Sequence, residues 1–128
     1  MITDAQKIEI LADAVVGREH EVFSYDLNIA NYEAMLAGLP ADEWPEALLK
    51  FQNVKPADLP LDLNDDDYQL ATTLQYRDQL RRLLRTEKTE RGKSLRVQDA
   101  LKTQIPAEEY DAAIAAAVVR RQQSMGVA

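Results

Sequence analysis

Residues 76–105 read YRDQLRRLLRTEKTERGKSLRVQDALKTQI, and their reading decides the fold. Tyr76, Leu80, Leu83, Glu87, Glu90, Ser94, Val97 and Leu101 recur at alternating steps of four and three. That is the spacing of a helix seam packed against another helix. No proline interrupts the run before Pro106, and Gly92 is its only weak helix former. The helix extends back to about residue 67, so the spacing predicts one long helix over 67–105. At about 1.5 Å per residue it is roughly 50–55 Å long.

Two features of this helix matter. Its seam turns polar in the middle, where Glu87, Glu90 and Ser94 stand in place of leucine. Arg77, Arg81, Arg85, Lys88 and Arg96 line the opposite side, a candidate binding face. From Arg77 to Lys102 there are nine basic and four acidic residues; the rest of the chain holds six basic and eighteen acidic ones. An acidic chain therefore carries a basic helix.

Upstream, Thr3 and Gln6 match a capping box, in which each side chain satisfies the other's free backbone N–H. Ile8, Leu11, Val15, Arg18, Val22, Tyr25, Ile29, Tyr32 and Leu36 then form a second seam, predicting a helix over 4–37 that ends at Gly38 and Pro40. Residues 38–66 form a connection punctuated by Pro40, Pro45, Pro56 and Pro60. Within it, residues 44–51 read as a short helix with Pro45 in its first turn, where a missing N–H costs little. Trp44, Leu48, Leu49 and Phe51 are expected to cap the core. The last segment is a helix over 107–124, with Glu108, Glu109 and Asp111 at its start and Arg120 and Arg121 near its end, as the helix dipole favours. Tyr110, Ile114, Ala117, Val118 and Arg121 share one side.

The expected fold is all-α: a single domain, 1–128, built on a long antiparallel helical hairpin. A connection able to reverse direction sets Leu36 near Leu70, so facing residues have numbers summing to about 105. Ile8 then meets Val97, Val22 meets Leu83, Tyr25 meets Leu80, and Arg18 meets Glu87 and Glu90. This polar cluster, Arg18 with Glu87 and Glu90, is read as a register-fixing device.

The bulk composition narrows the function. A net charge of −7 over 128 residues argues against nonspecific binding of nucleic acid or membrane by the whole surface. The chain has no cysteine, hence no disulfide and no thiolate metal site. MITDAQK at the N-terminus lacks the pattern of a signal peptide, and no apolar run is long enough to span a bilayer. The expected setting is cytoplasmic or virion-associated.

Several chemistries were weighed. Asp62-x-Asn64-x-Asp66 matches the start of a calcium loop, but Asp67 stands where glycine is needed and Thr73 where a bidentate glutamate is needed. These acids are read as a helix start. His20, the only histidine, has Ser24 one turn on and is read as a surface residue. There is no Gly-rich phosphate loop and no zinc spacing. Glu87-x-x-Glu90 followed by Glu108-x-x-Asp111 resembles the paired acidic motifs of the all-α NTP pyrophosphatases. That resemblance implies carboxylates holding magnesium on a nucleotide triphosphate, yet it covers four residues and lacks the family's flanking pattern. No metal and no cofactor are expected. The basic face has no interleaved aromatic residues to stack bases, which argues against a nucleic-acid site.

The stretches ITDAQKIEILADAVVGREHEVFSYDLNIANYEAML and YRDQLRRLLRTEKTERGKSLRVQDAL give the chain a style similar to small accessory proteins of tailed bacteriophages. The resemblance implies a virion or tail component, or an early factor acting on the host. Three readings follow. The first is a non-enzymatic helical assembly protein that docks a protein partner or its own copies through its seams and basic face. The second is an acidic inhibitor that uses the carboxylates at 41–46 and 58–67 to mimic phosphates toward a host nucleic-acid enzyme. The third is a magnesium-dependent nucleotide hydrolase.

Overall fold

Thr3 opens the first helix as its sequence requires. Its backbone N–H donates to Gln6 Oε1 at 2.9 Å and its Oγ1 accepts the Gln6 N–H at 3.1 Å. In the computed structural model, which describes residues 1–126, this box starts α1, Asp4–Ala37. A 3-10 helix, Glu46–Phe51, and a 3-10 turn, Pro56–Asp58, follow in the connection. Then come α2, Asp65–Lys102, and α3, Ala107–Ser124. The fold is all-α, with no strand among the described residues.

Helix ends follow local chemistry. α1 stops in a tight turn in which Leu39 N–H reaches the Leu36 carbonyl at 3.0 Å; Gly38 keeps a negative φ. Asn64 starts α2, its Oδ1 accepting the Asp67 N–H at 2.8 Å and its Nδ2 donating to Asp67 Oδ2 at 3.0 Å. The cap is thus the asparagine of the acidic run, and Asp65, Asp66 and Asp67 fill the first turn. α2 passes unbroken through Gly92 and ends three residues earlier than expected. Thr103, Gln104 and Ile105 turn back with hydrogen bonds to Asp99, Leu101 and Lys102 carbonyls, and Ile105 enters the core instead of extending the helix.

Tertiary contacts divide the chain into two compact units. One comprises Met1–Leu27 and Lys88–Ala128; the other is Asn28–Glu87. The first unit packs the start of α1, the end of α2, and α3. Ala12, Val15, Val16, Ile105 and Ala117 are buried there, with Ile8, Leu11, Leu101, Tyr110, Ala113 and Ile114 packed around them. Ala113 takes a place expected for Val118, which stays exposed. Small residues at Ala12, Ala113 and Ala117 let the helices approach closely. Arg120 ties α3 to α1 through Asp13 at 2.8 Å and Glu9 at 3.6 Å.

The second unit buries Leu48, Leu59, Ala71, Leu74 and Leu80, together with Arg77. Of the residues expected to cap the core, Leu48 does so, while Leu49 is exposed. The Gln75 side chain donates to the backbone carbonyls of Phe51 and Val54, which seats the connection on the first turns of α2.

The seam of α1 is as its sequence indicates: Val15 is buried, and Ile8, Leu11, Arg18, Val22, Tyr25, Ile29, Tyr32 and Leu36 are half-buried. The seam of α2 holds only in part: Leu80 and Ser94 are buried and Glu87, Glu90 and Leu101 half-buried, but Tyr76, Leu83 and Val97 are exposed, while Arg77 and Gln98, outside the seam, are buried. The expected register is also corrected. In the first unit Gln98 Nε2 donates to the Val15 carbonyl at 3.5 Å, Ser94 Oγ to Glu21 at 3.3 Å, and Arg91 to Asp26. Facing numbers therefore sum to about 115 instead of about 105. The contact of Arg77 with Pro40 in the second unit has the same offset. The connection occupies the first turns of α2 and displaces α1 along it.

The polar cluster changes with the register. Arg18 pairs with Glu21 on its own helix at 3.0 Å. Glu87 accepts from Asn28 Nδ2 at 3.3 Å, and Glu90 from Lys93 Nζ at 3.1 Å. Glu21, which also accepts from Tyr25 and Ser94, is the carboxylate at the centre of the observed network.

Candidate binding site

The five basic residues singled out on α2 have different fates. Arg77 is only 2% exposed and belongs to the interior. Its Nη1 donates to the backbone carbonyls of Pro40, at 3.0 Å, and Asp42. Its Nε and Nη2 donate to Asp78 Oδ1 at 3.2 and 3.1 Å. A guanidinium can enter an interior only when its fork of donors is met, and here carbonyls and a carboxylate meet it. Arg77 is therefore a structural residue and not part of an exposed face. Lys88 and Arg96 belong to the first unit, and Arg96 Nε turns back to the Gly92 carbonyl of its own helix at 3.4 Å.

The remaining two, Arg81 and Arg85, border a cleft of about 480 Å³ within the second unit. Arg82, which the seam pattern did not single out, lines it as well, and the opposite wall holds Trp44, Leu49 and Gln52. The wall is held by Asp78. Its Oδ2 accepts Trp44 Nε1 at 2.8 Å and Gln52 Nε2 at 3.2 Å, while Oδ1 takes Arg77 and lies 3.9 Å from Arg81. Burial by itself raises the Asp78 pKa; the hydrogen bonds from Trp44, Gln52 and Arg77, with the charge of Arg77, outweigh it and hold the carboxyl below its usual range. Asp78 is thus an anion that fixes an indole beside arginines.

An arginine cluster with an adjacent tryptophan suits a carboxylate- or phosphate-bearing group next to an apolar one. The sequence signal for Trp44 was a lone tryptophan preceding a proline in the connection. Nothing in its spacing points to residues 77–85, because the contact spans more than thirty residues of chain.

The other candidate chemistries are not assembled. Among the described residues no group of three or more histidine or acidic side chains is placed to hold a metal ion. Glu90, Glu108 and Asp111, the carboxylates of the pyrophosphatase-like motifs that lie in the first unit, are therefore not grouped to hold one. Asn64 is committed to the helix cap, and Ser24 Oγ donates to the His20 backbone carbonyl at 3.2 Å. No helix among the described residues is long and apolar enough to cross a membrane. No family model matches the sequence, and no curated protein or solved structure is significantly similar to it.

Proposed function

We propose that this chain is a non-enzymatic docking protein that receives a carboxylate-bearing segment of a partner protein in the Trp44–arginine cleft. The observation that carries this reading is Asp78 holding the only tryptophan of the chain beside Arg81, with Arg82 and Arg85 lining the same cleft. Tryptophan and arginine are the side chains that most often dominate protein interfaces. Glu43 also lines the cleft, and Asp58, Asp62, Asp65 and Asp66 are acidic and exposed in the same unit. This negative surround disfavours a long polyanion such as nucleic acid, whereas a short carboxylate-bearing segment can meet the arginines without lying along it. Phe23 and Leu27 are also exposed in the first unit, apolar surface of the kind a helical assembly protein covers with a partner. A small virion or tail component is the setting this reading fits, by the resemblance of the sequence.

Trp44 fluorescence reports on the cleft directly, since no other tryptophan contributes. Titration with an Asp/Glu-rich peptide containing one leucine is expected to give a saturable change that weakens with salt. Arg81→Glu with Arg85→Glu should abolish it. A change that persists in that double variant, or a response only to a single-stranded oligonucleotide, would count against the reading. The exposed aspartates of residues 58–66 favour one alternative, an acidic inhibitor of a basic target. That alternative requires loss of target binding on Asp65→Asn with Asp66→Asn, and none on Arg81→Glu.

A further inference from the structure

On α2 within the second unit, Tyr68, Tyr76 and Leu83 are 42%, 44% and 39% exposed. With Asp65, Thr72 and Gln79 they fall at steps of three and four, so they form one stripe about five turns long. The buried residues of the same segment, Ala71, Leu74, Arg77 and Leu80, lie off the stripe, with Leu74 most nearly opposite it. The stripe contains Tyr76 and Leu83 of the seam that the sequence pattern shows, exposed beside a groove that Thr72, Tyr76 and Gln79 line with residues 52–56 of the connection.

Charge says what covers it. One end of the stripe is acidic, with Asp65 on it and Asp66 and Asp67 in the same first turn of the helix. The other end carries Arg82, which is exposed and makes no ion pair among the described residues. Asp65 and Arg82 are seventeen residues apart on one helix, about 25 Å. That is about three Debye lengths at physiological salt, so the two ends cannot neutralise each other within one chain. A second α2 running antiparallel neutralises both ends at once.

The stripe is close to palindromic. With Tyr76 near a two-fold axis, Tyr68 of one copy faces Leu83 of the other, Thr72 faces Gln79, and Asp65 comes within a turn of Arg82. Each contact occurs twice, as an isologous interface requires. We propose that the protein forms a two-fold dimer through this face of α2. The inference goes beyond the docking cleft; Arg82 borders both surfaces, but Tyr76 and Leu83 do not line the cleft, so their substitution separates the two.

The full chain should sediment as a dimer at tens of micromolar. Tyr76→Glu with Leu83→Asp should give a monomer of unchanged helicity that still binds the acidic peptide. Arg82→Glu alone and Asp65→Lys alone should each weaken the dimer, and the two changes in one chain should restore it. The chain has no cysteine, so single substitutions report register cleanly. Tyr76→Cys should crosslink to itself under a mild oxidant. Leu83→Cys should not, because its mate lies about 20 Å away, but it should crosslink to Tyr68→Cys in a mixed sample. A wild-type monomer, or Leu83→Cys crosslinking to itself, overturns the proposal.

Discussion

At Asp78, burial opposes ionisation while Trp44, Gln52 and Arg77 support it, and the support wins. A carboxylate whose folded pKa is depressed contributes stability that is fully present above its unfolded pKa, about 3.9. That contribution is lost as pH falls through the folded value. Asp78→Asn is therefore expected to cost about 2–3 kcal/mol at neutral pH, and thermal melts should show the gap to wild type closing below about pH 4. Arg77→Met should cost about 3 kcal/mol, because it leaves Asp78 and the Pro40 and Asp42 carbonyls short of donors. It should also disturb Trp44 emission. Gly92 is the opposite case. A Cβ there meets nothing within 4 Å, so Gly92→Ala should raise stability by about 1 kcal/mol, read as a higher melting temperature.

The elements begin and end where side chains meet free backbone groups. Asn64 is the decisive cap, because α2 carries the residues of both the cleft and the dimer stripe. Asn64→Ala should cost about 1 kcal/mol and fray the first turn of α2, visible as faster amide exchange at residues 66–68. The seam of α1 was legible because its residues recur without a break at steps of three and four, although Ile10, Phe23, Leu27 and Met35 lie off it and stay exposed. In α2, Tyr76, Leu80, Leu83 and Leu84 share one face at i, i+4, i+7 and i+8, but the buried side is rotated from it toward Arg77 and Leu74. An arginine inside and a tyrosine outside invert the usual rule, and the expected seam was rotated in consequence. The five-residue basic face failed for the same reason: Arg77 is interior because carbonyls distant in sequence meet its donors.

For the whole molecule, the two units have separate sets of buried residues. Leu74, 1% exposed, is the most completely buried leucine of the second unit. Leu74→Ala should cost about 3 kcal/mol, with amide exchange accelerating first within residues 28–87. Equal acceleration in the first unit would show that the chain unfolds as one cooperative body. The charge distribution is also a whole-molecule property, with a net −7 overall and a basic segment inside it. It steers an acidic partner toward the cleft only at low to moderate salt.

Local signals determined the elements. The Thr3–Gln6 box, the α1 seam, Pro45, Pro106 and the acidic starts of α2 and α3 lie in the primary sequence because capping and periodicity act over three or four residues. The register, the interior position of Arg77, and the meeting of Trp44 with Arg81, Arg82 and Arg85 were decided by tertiary structure alone. Each depends on a partner tens of residues away. Burying a guanidinium or orienting an indole is favourable only where folding has already brought the carbonyls and carboxylate that satisfy it.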